Sequence, residues 1–523
     1  MNVGQEIARS AKRFANRLAV IDVELKQQMT YAELNSRVNK LANALLASGI
    51  RKGDRVALLQ WNRYYVVESM YALAKIGAIR VPINVRLTPK EYIFLLNDSG
   101  ANTIILGPEF IDGYRNIQSS LKTVKNVICT RDTPPDMIDY EEFIADAADE
   151  EPETIHLVKP EDIYVLQYTG GTTGIPKGPM HNHDTWVRMA YDLNNEVMDT
   201  KIGDVTLHCA PLTAAASAFV LGVTIAGATH VLLRKFEPAE VFDTIQRYKV
   251  TQTMLVPTMV QMLLYDPSIR NYDLTSLKTI AYGASPFPPQ HLREAVKYFG
   301  NIFCQFYGLS ECMIPVTTLR KTDHFLEGSP KEAARLASAG KCVVPMQVKV
   351  VKEDGEEVTP GEVGEILIKG YLVMQGYWHR HEETERKLKD GWLHTGDLAT
   401  VDNEGYIFIV DRKDYMIISG GFNVYPKEIE DHLSRHPAVL QVAVFGVPHE
   451  KYGETVKAVV SLKQGAVASE QELAEFCRSG ELAGFKRPTS IYFLDELPMT
   501  GAGKLDKKAL KLMVAASERG GNA

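Results

Sequence analysis

A repeating succession of short apolar runs and capped helical segments in the first 110 or so residues constrains the fold more than any other feature. Thr30-Tyr-Ala-Glu33 has the spacing of a capping box. Behind it Tyr31, Leu34, Val38, Leu41 and Leu45 recur at helical intervals until Gly49 ends the run. Val56–Leu59 then predicts a strand, Val66–Lys75 a helix stopped by Gly77, and Ile79–Pro82 the next strand. Thr88-Pro-Lys-Glu91 opens another helix, with proline at its first position and an acid in its first turn, and Thr103–Leu106 closes the unit as a strand. Strands alternating with helices in this way predict a doubly wound α/β domain.

At 523 residues the chain exceeds one ordinary domain, so two or more are expected. A hydrophobic content of 45% with 24% charged residues describes a soluble globular protein, and a formal net charge of -7 gives no electrostatic footprint for nucleic acid. Six cysteines (129, 209, 304, 312, 342 and 477) form no Cys-x-x-Cys pair, which argues for a reducing compartment and against a disulfide framework or a zinc site. The longest apolar window, Ala214–Leu233, is rich in Ala and Gly and holds Ser217, Thr224 and His230. It predicts a buried helix followed by a strand, with no integral membrane segment. Met1–Asn16 lacks an apolar core of signal-peptide type, and Gly520–Ala523 carries no peroxisomal or lipidation address, so the expected location is the cytoplasm.

The stretch Tyr168-Thr-Gly-Gly-Thr-Thr-Gly-Ile-Pro-Lys177-Gly178 concentrates four glycines, three threonines and a lysine in eleven residues, directly after the apolar run Ile163–Leu166. Glycines let backbone amides approach an anion, threonine hydroxyls add donors, and a lysine supplies charge beside phosphate oxygens. The Walker spacing is absent, because Lys177 follows Gly174 by three residues and is itself followed by Gly178. The segment therefore reads as a phosphate loop of another kind, or as a flexible Gly/Thr turn if taken alone.

Residues 115–160 are polar, with an acidic patch at Asp146–Glu153, and are expected to form a surface connection. Beyond the loop, Thr253–Pro257, Thr279–Tyr282 and Phe303–Phe306 predict further strands. Past Glu362 the pattern changes to short strands and turns, and from about Tyr415 a compact α+β segment begins. The fold class expected is thus α/β: a large multi-sheet N-terminal domain with doubly wound layers, plus a small mobile α+β C-terminal domain. A boundary within Asp411–Asp414 divides 1–413 from 414–523.

Tyr307-Gly-Leu-Ser-Glu311, Thr395-Gly-Asp397, Asp411-Arg-Lys-Asp414, Gly420-Gly421 and Pro498-Met-Thr-Gly-Ala-Gly-Lys504 follow the loop in that order. With them the sequence resembles the adenylate-forming superfamily of acyl-CoA synthetases, adenylation domains and luciferases, from about Thr30 to Leu510, and most closely the AMP-forming fatty- or aryl-acid:CoA ligases. The resemblance implies that Thr169, Gly170, Gly171, Thr172, Thr173, Gly174 and Lys177 bind the ATP phosphates. Gly283, Ala284, Ser285 and Tyr307, with Gly308 and Ser310, hold the nucleotide. It also implies that Glu311 ligates Mg²⁺, Asp397 and Arg412 contact the ribose, and Lys504, Glu311 and Thr173 carry catalysis. Asp414 falls on the hinge of the small domain. Gly420 and Gly421 fall in a pantetheine tunnel, and Tyr452, Phe485, Lys486 and Arg487 where some relatives hold the CoA nucleotide. As bare residues, the last three are also an ordinary basic surface turn, and Asp397 a helix cap or turn acid.

The expected activity is ligation of a carboxylic acid to CoA by way of an acyl-AMP, with ATP, CoA and Mg²⁺ required. Two alternatives are an acyl-AMP ligase loading a carrier protein and a catalytically silent nucleotide-binding homologue. The resemblance leaves a homodimer open. Gly170 stands where serine is usual, and Ser310 where threonine is. Relatives often carry an aromatic residue followed by His at Thr213-Ala214; here Ala214, Ala215 and Ala216 leave more open volume. The acyl pocket is expected at Ala214, Ala215, Gly283 and Met313. The absence of Asp, Glu, Lys or Arg between Val205 and Leu233 argues for an apolar acid and against an amino acid.

Overall fold

The computed structural model describes residues 1–168, 176–479, 482–500 and 505–520, and the statements below concern those residues. After an N-terminal helix, Val3–Arg13, the chain forms a hairpin of β1 (Leu18–Asp22) and β2 (Gln27–Thr30). It then builds a seven-stranded sheet from β3 (Arg55–Leu59), β4 (Ile79–Pro82), β5 (Thr103–Leu106), β6 (Asn126–Cys129), β7 (Ile138–Asp139), β8 (Ile163–Leu166) and β9 (Met180–Asn182), in the order β7-β6-β5-β3-β4-β8-β9. All neighbours in it pair parallel except β8 and β9. A second sheet uses β10 (Val205–His208), β11 (Thr229–Leu232), β12 (Gln252–Leu255), β13 (Thr279–Gly283), β14 (Phe303–Leu309), β15 (Cys312–Leu319) and β16 (Lys341–Cys342). It takes back the opening hairpin to run β16-β15-β14-β13-β12-β10-β11-β1-β2.

The period-2 alternation of each strand divides the interior. Val56 and Leu58 of β3 face a core shared with Val20, Leu207, Val231 and Ile280 of the nine-stranded sheet, so that core lies between the two sheets. The intervening Ala57 and Leu59 face a second core closed by Tyr92, Leu95 and Leu96 of the helix Pro89–Ser99. The helix Tyr64–Ile76 is buried at every position; most of its surface is apolar, and its two charged side chains are paired, Glu68 with Arg37 and Lys75 with Glu151. The expected capping box at Thr30 forms, and the expected helix start at Thr88 is a capping box too: each threonine hydroxyl accepts from the backbone N–H three residues on, and the glutamate there accepts from the threonine's own N–H.

The stretch 115–160 is more than a surface connection. It contributes β6, β7 and the helix Tyr140–Ala145, with Ile128, Cys129, Tyr140 and Ile144 buried. Three apolar residues, Val127-Ile128-Cys129, are too short a run to announce a strand; pairing with Ile104–Leu106 of β5 makes it one. The acidic patch runs along the helix Tyr31–Ala47. There Asn39 donates to Asp149 O at 2.8 Å, Asn43 donates to Ala148 O and Glu150 O, and the buried ammonium of Lys75 pairs with Glu151 at 2.7 Å.

A third, smaller sheet comprises β17 (Gln347–Val351), β18 (Gly364–Lys369), β19 (Leu388–Lys389), β20 (Trp392–Val401) and β21 (Ile407–Arg412), all antiparallel. After it β22 (Ile417–Ser419), β23 (Phe422–Val424), β24 (Val439–His449), β25 (Gly453–Leu462) and β26 (Ser490–Phe493) form the sheet of a small C-terminal domain. That domain has cores of its own on both faces, one around Ile417, Ile429 and Val444 and one around Phe445, Val459 and Leu510. It meets the large domain where Lys427 N donates to Asp411 Oδ2 at 3.1 Å, and where the Lys463 ammonium lies 5.1 Å from the Tyr265 ring centroid. No described helix is long and apolar enough to cross a membrane.

Candidate active site

Strands β10, β12, β13 and β14 lie side by side and run parallel, with Leu207 opposite Thr253, Leu255 opposite Tyr282 and Tyr282 opposite Gln305. Their carboxyl ends therefore align the loops beginning at Cys209, Val256 and Ala284 with Tyr307, which is where an open α/β sheet receives ligands. Gly283 can be nothing larger, because a Cβ there would collide with the Phe306 carbonyl. Ala284 follows at φ +66°, a backbone that costs a non-glycine residue roughly 1 kcal/mol or more and that concentrates at functional sites.

Tyr307, Asp397 and Arg412 converge although they come from two sheets. Asp397 on β20 faces Arg412 on β21, whose Nε lies 3.6 Å from its Oδ1. The Tyr307 hydroxyl donates to Asp397 Oδ2 at 2.6 Å. Burial, and then the negative charge of Asp397, push the Tyr307 phenol well above its ordinary pKa, so it remains a donor at neutral pH. Asp414, in the turn that leaves β21, is 3.8 Å from the Arg412 guanidinium.

Ser310 and Glu311 form the turn between β14 and β15. Glu311 O accepts from Met374 N, and Glu311 Oε1 accepts from the Tyr377 hydroxyl at 2.8 Å. His181 lies behind the turn, its Nε2 2.7 Å from Ser310 O. Burial lowers the His181 pKa to about 4, so the ring is neutral at pH 7; a carbonyl can only accept, so Nε2 carries the proton.

The residues Thr169, Gly170, Gly171, Thr172, Thr173 and Gly174, and the tail lysine Lys504, lie outside the described residues. The base of the loop is described. Gln167 N donates to Pro179 O, and the Tyr168 hydroxyl donates to Asp98, which the Arg380 guanidinium holds from its other oxygen at 2.6 Å. Gly178 passes the Tyr168 ring so closely that a Cβ would sit 2.9 Å from it. Lys177 places its ammonium 5.4 Å from the centroid of the Tyr377 ring, whose hydroxyl is bonded to Glu311. One segment joins these parts: Cys312 bridges Val373, Met180 N donates to Gly376 O, and Trp378 N donates to Gly178 O. Sequence reasoning missed Tyr377, Asp98 and Arg380, because their partners are remote in the chain and no local pattern marks them.

The family profile described as AMP-binding enzyme matches residues 7–378, and that described as AMP-binding enzyme C-terminal domain matches residues 428–504. The chain belongs to the AMP-binding enzyme family. It is 39% identical over 485 residues to a feruloyl-CoA synthase of an Amycolatopsis species, covering 92% of each chain. To a medium/long-chain-fatty-acid–CoA ligase of Mycobacterium tuberculosis it is 36% identical over 496 residues, covering 92% of this chain and 85% of that one. The fold matches an anthranilate CoA ligase, crystallised with anthranoyl-AMP, at a TM-score of 0.90 and 28% identity, over 99% of this chain and 98% of the other.

For this AMP-binding enzyme the donor set fits a magnesium ion carried in with its nucleotide. Mg²⁺ is commonly held by one or two carboxylates completed by substrate phosphates and water, and Glu311 is a hard oxygen donor with Tyr377 orienting one of its oxygens. The described residues hold no cluster of three or more His, Cys, Asp or Glu side chains that would form an all-protein metal cage. The thiols beside the site are unreactive: burial pushes Cys209 up to about 12 and Cys312 well above the ordinary range.

The predicted CoA residues gather on the small domain. Gly420 and Gly421 are the two central residues of the hairpin joining β22 to β23, at φ +59° and +83°, as a type I′ turn requires. Gly420 N donates to Tyr452 O at 2.8 Å, and Phe485 stacks on Phe422 with ring centroids 4.6 Å apart. Lys486 pairs with both oxygens of Glu428, and Arg487 Nε donates to Leu482 O. Of the predicted acyl-pocket residues, Gly283 and Met313 are buried, Ala214 is half-buried and Ala215 is exposed.

Proposed function

We propose that this protein is an AMP-forming acid:CoA ligase acting on a hydrophobic carboxylic acid larger than acetate. The observation that supports it most is the convergence, at the ends of four parallel strands, of two sets of groups. Lys177, Tyr377 and Glu311 suit phosphate and its metal, while Tyr307, Asp397 and Arg412 suit a nucleoside. The relatives named for fatty acids and for ferulate fit an apolar acid, as does the loop Cys209–Ser217 with its run of three alanines.

A carboxylate is ionised at neutral pH and needs no general base to attack. Its oxygen bonds to the α-phosphorus of ATP as the bond to the bridging oxygen breaks, giving acyl-AMP and pyrophosphate. Catalysis is then alignment and neutralisation of charge. Lys177 and Thr169–Gly174 take the departing phosphates, Glu311 holds Mg²⁺, and Lys504 approaches the α-phosphate. Bound magnesium supplies positive charge to the phosphate oxygens. Asp397 and Arg412 orient the ribose, and the Gly283–Ser285 backbone and the Tyr307 ring hold the adenine. In the second step the CoA thiolate attacks the acyl carbon and AMP leaves. For this the small domain, starting at residue 414, turns about Asp414 and presents Gly420, Gly421 and the Tyr452, Phe485, Lys486 and Arg487 surface.

The test is a panel of aliphatic, alicyclic and aromatic acids offered with ATP, Mg²⁺ and CoA. Pyrophosphate release and acyl-CoA formation are followed together. Acid-dependent release of both is expected, with acetate a poor substrate. Acetate as the preferred acid, or transfer only to a carrier-bound phosphopantetheine, would overturn the reading.

A further inference from the structure

Asn62 lies just past β3, in the sheet opposite the one that carries the nucleotide residues, and is 1% exposed. Its side chain crosses to the loop that follows β10. Nδ2 donates to Ala210 O at 2.9 Å and to His208 O at 3.3 Å, and Oδ1 accepts from Leu212 N at 2.8 Å. The last residue of β10 and two alternate residues of the loop after it are thus held by one amide 146 to 150 positions away in the chain. The loop has few bonds of its own: Ala214 N reaches Pro211 O, and Ser217 N reaches Ala214 O. Between Cys209 and Ser217 no side chain carries charge.

The neighbours of Asn62 tie the same point to the rest of the scaffold. The Arg63 guanidinium pairs with Asp22 at the end of β1, and Tyr64 N donates to the other oxygen of Asp22. The corner Asn62-Arg63-Tyr64 is therefore a fixed bracket between the two large sheets. From it a single side chain reaches the alanine-rich loop.

We propose that Asn62 is a positioning residue for the carboxylic acid: it sets the course of the Cys209–Ser217 loop and thereby which acids the enzyme prefers. This rests on reading Ala214–Ala216 as a wall of the acid site. No other side-chain type meets the geometry equally well. Aspartate at this position keeps the acceptor for Leu212 N but turns both donated bonds into repulsion between oxygens. Alanine leaves two carbonyls and an amide without their partner in a buried place. A misplaced pocket wall changes the fit of the acid, while the nucleotide residues, held by the separate bonds described above, keep theirs.

The experiment compares Asn62→Ala, Asn62→Asp, Ala214→Phe and a control, Asn39→Ala. The control removes an equally buried asparagine that bonds the acidic stretch and Lys75 far from the site. Each is assayed for KM of acid and of ATP, kcat, and the ratio of kcat/KM between the best acid and a shorter one. Both Asn62 variants are expected to raise KM for the acid by about ten-fold or more and to flatten that ratio, with KM for ATP within about two-fold of the parent. Asn39→Ala should lower the unfolding temperature but leave the ratio unchanged. If Asn62→Ala and Asn62→Asp only lower the unfolding temperature, as the control does, while Ala214→Phe shifts the acid preference, Asn62 is structural and the proposal is overturned. If Ala214→Phe leaves the acid profile untouched, the alanine wall is misassigned, and the proposal falls with it whatever Asn62 does.

Discussion

The residues expected to hold ATP and those expected to admit CoA are fixed in place by different means. On the nucleotide side, each described residue is tied into a scaffold of three sheets: Glu311 by Tyr377, Asp397 by Tyr307 and Arg412, and the loop base by Asp98 and Arg380. On the CoA side, Gly420, Tyr452 and Phe485 contact one another or Phe422 within the small domain, and Phe422 and Tyr452 are about half exposed. The first arrangement suits a site that must align reacting groups before it acts. The second suits a surface that must be carried to the site and away from it. The contrast teaches that a glycine in the two places serves different needs. Gly283 and Gly178 avoid a collision that the fold imposes, while Gly420 and Gly421 make a turn, with open space before Gly421 and the Tyr452 ring beside Gly420.

The largest effect that sharpens this contrast is expected at Lys504. Lys504→Ala should slow adenylate formation by about 10²–10³, the usual loss when one donor to developing charge is removed. Acid-dependent ATP–pyrophosphate exchange measures it.

Gly421 tests the opposite surface. Leucine there would be strained by the positive φ, whereas asparagine tolerates it, so Gly421→Asn adds a side chain with little damage to the turn. It should leave pyrophosphate exchange intact and slow CoA capture of supplied acyl-AMP by about ten-fold. Equal loss in both half-reactions would break the comparison.

A similar effect is expected from Tyr377→Phe, which removes the hydroxyl bonded to Glu311. Outer partners of metal ligands typically contribute about 10- to 100-fold. Adenylation should therefore fall by about ten-fold, and the Mg²⁺ needed for half-maximal rate should rise. An unchanged Mg²⁺ dependence would show that the tyrosine does not serve the metal.

The smallest effect at working pH separates the domains by stability. Burial depresses the pKa of His181, His208, His291 and His324 to about 4, and all four lie in the large domain. An unfolded chain takes up those protons below pH 6.5, and the folded one only near pH 4. The stability they leave intact above pH 6.5 is therefore lost as the pH falls from 6.5 toward 4. All four tryptophans (Trp61, Trp186, Trp378 and Trp392) lie in the large domain, so their fluorescence should report its unfolding at progressively lower temperature over that range. A flat profile would contradict it.

Much of this was legible in the sequence. The capping box at Thr30, the helix start at Thr88, the alternation of strands and helices, and the ordered motifs from Tyr168 to Lys504 each rest on local spacing, and local spacing is what a sequence displays. The strands at Asn126–Cys129 and Ile138–Asp139 were not legible, because they become strands only against an existing sheet edge. Nor were Tyr377, 66 residues from Glu311, and Asn62, whose loop lies some 150 residues onward. Such roles arise from the meeting of sheets, and no periodicity or motif announces them.

The most direct measurement mixes preformed acyl-AMP and CoA with Lys504→Ala enzyme in a single turnover and follows acyl-CoA. The two-surface account predicts a rate close to that of the parent enzyme, despite the loss of adenylation. A fall as deep as that seen in pyrophosphate exchange would mean that one surface performs both steps, and would contradict it.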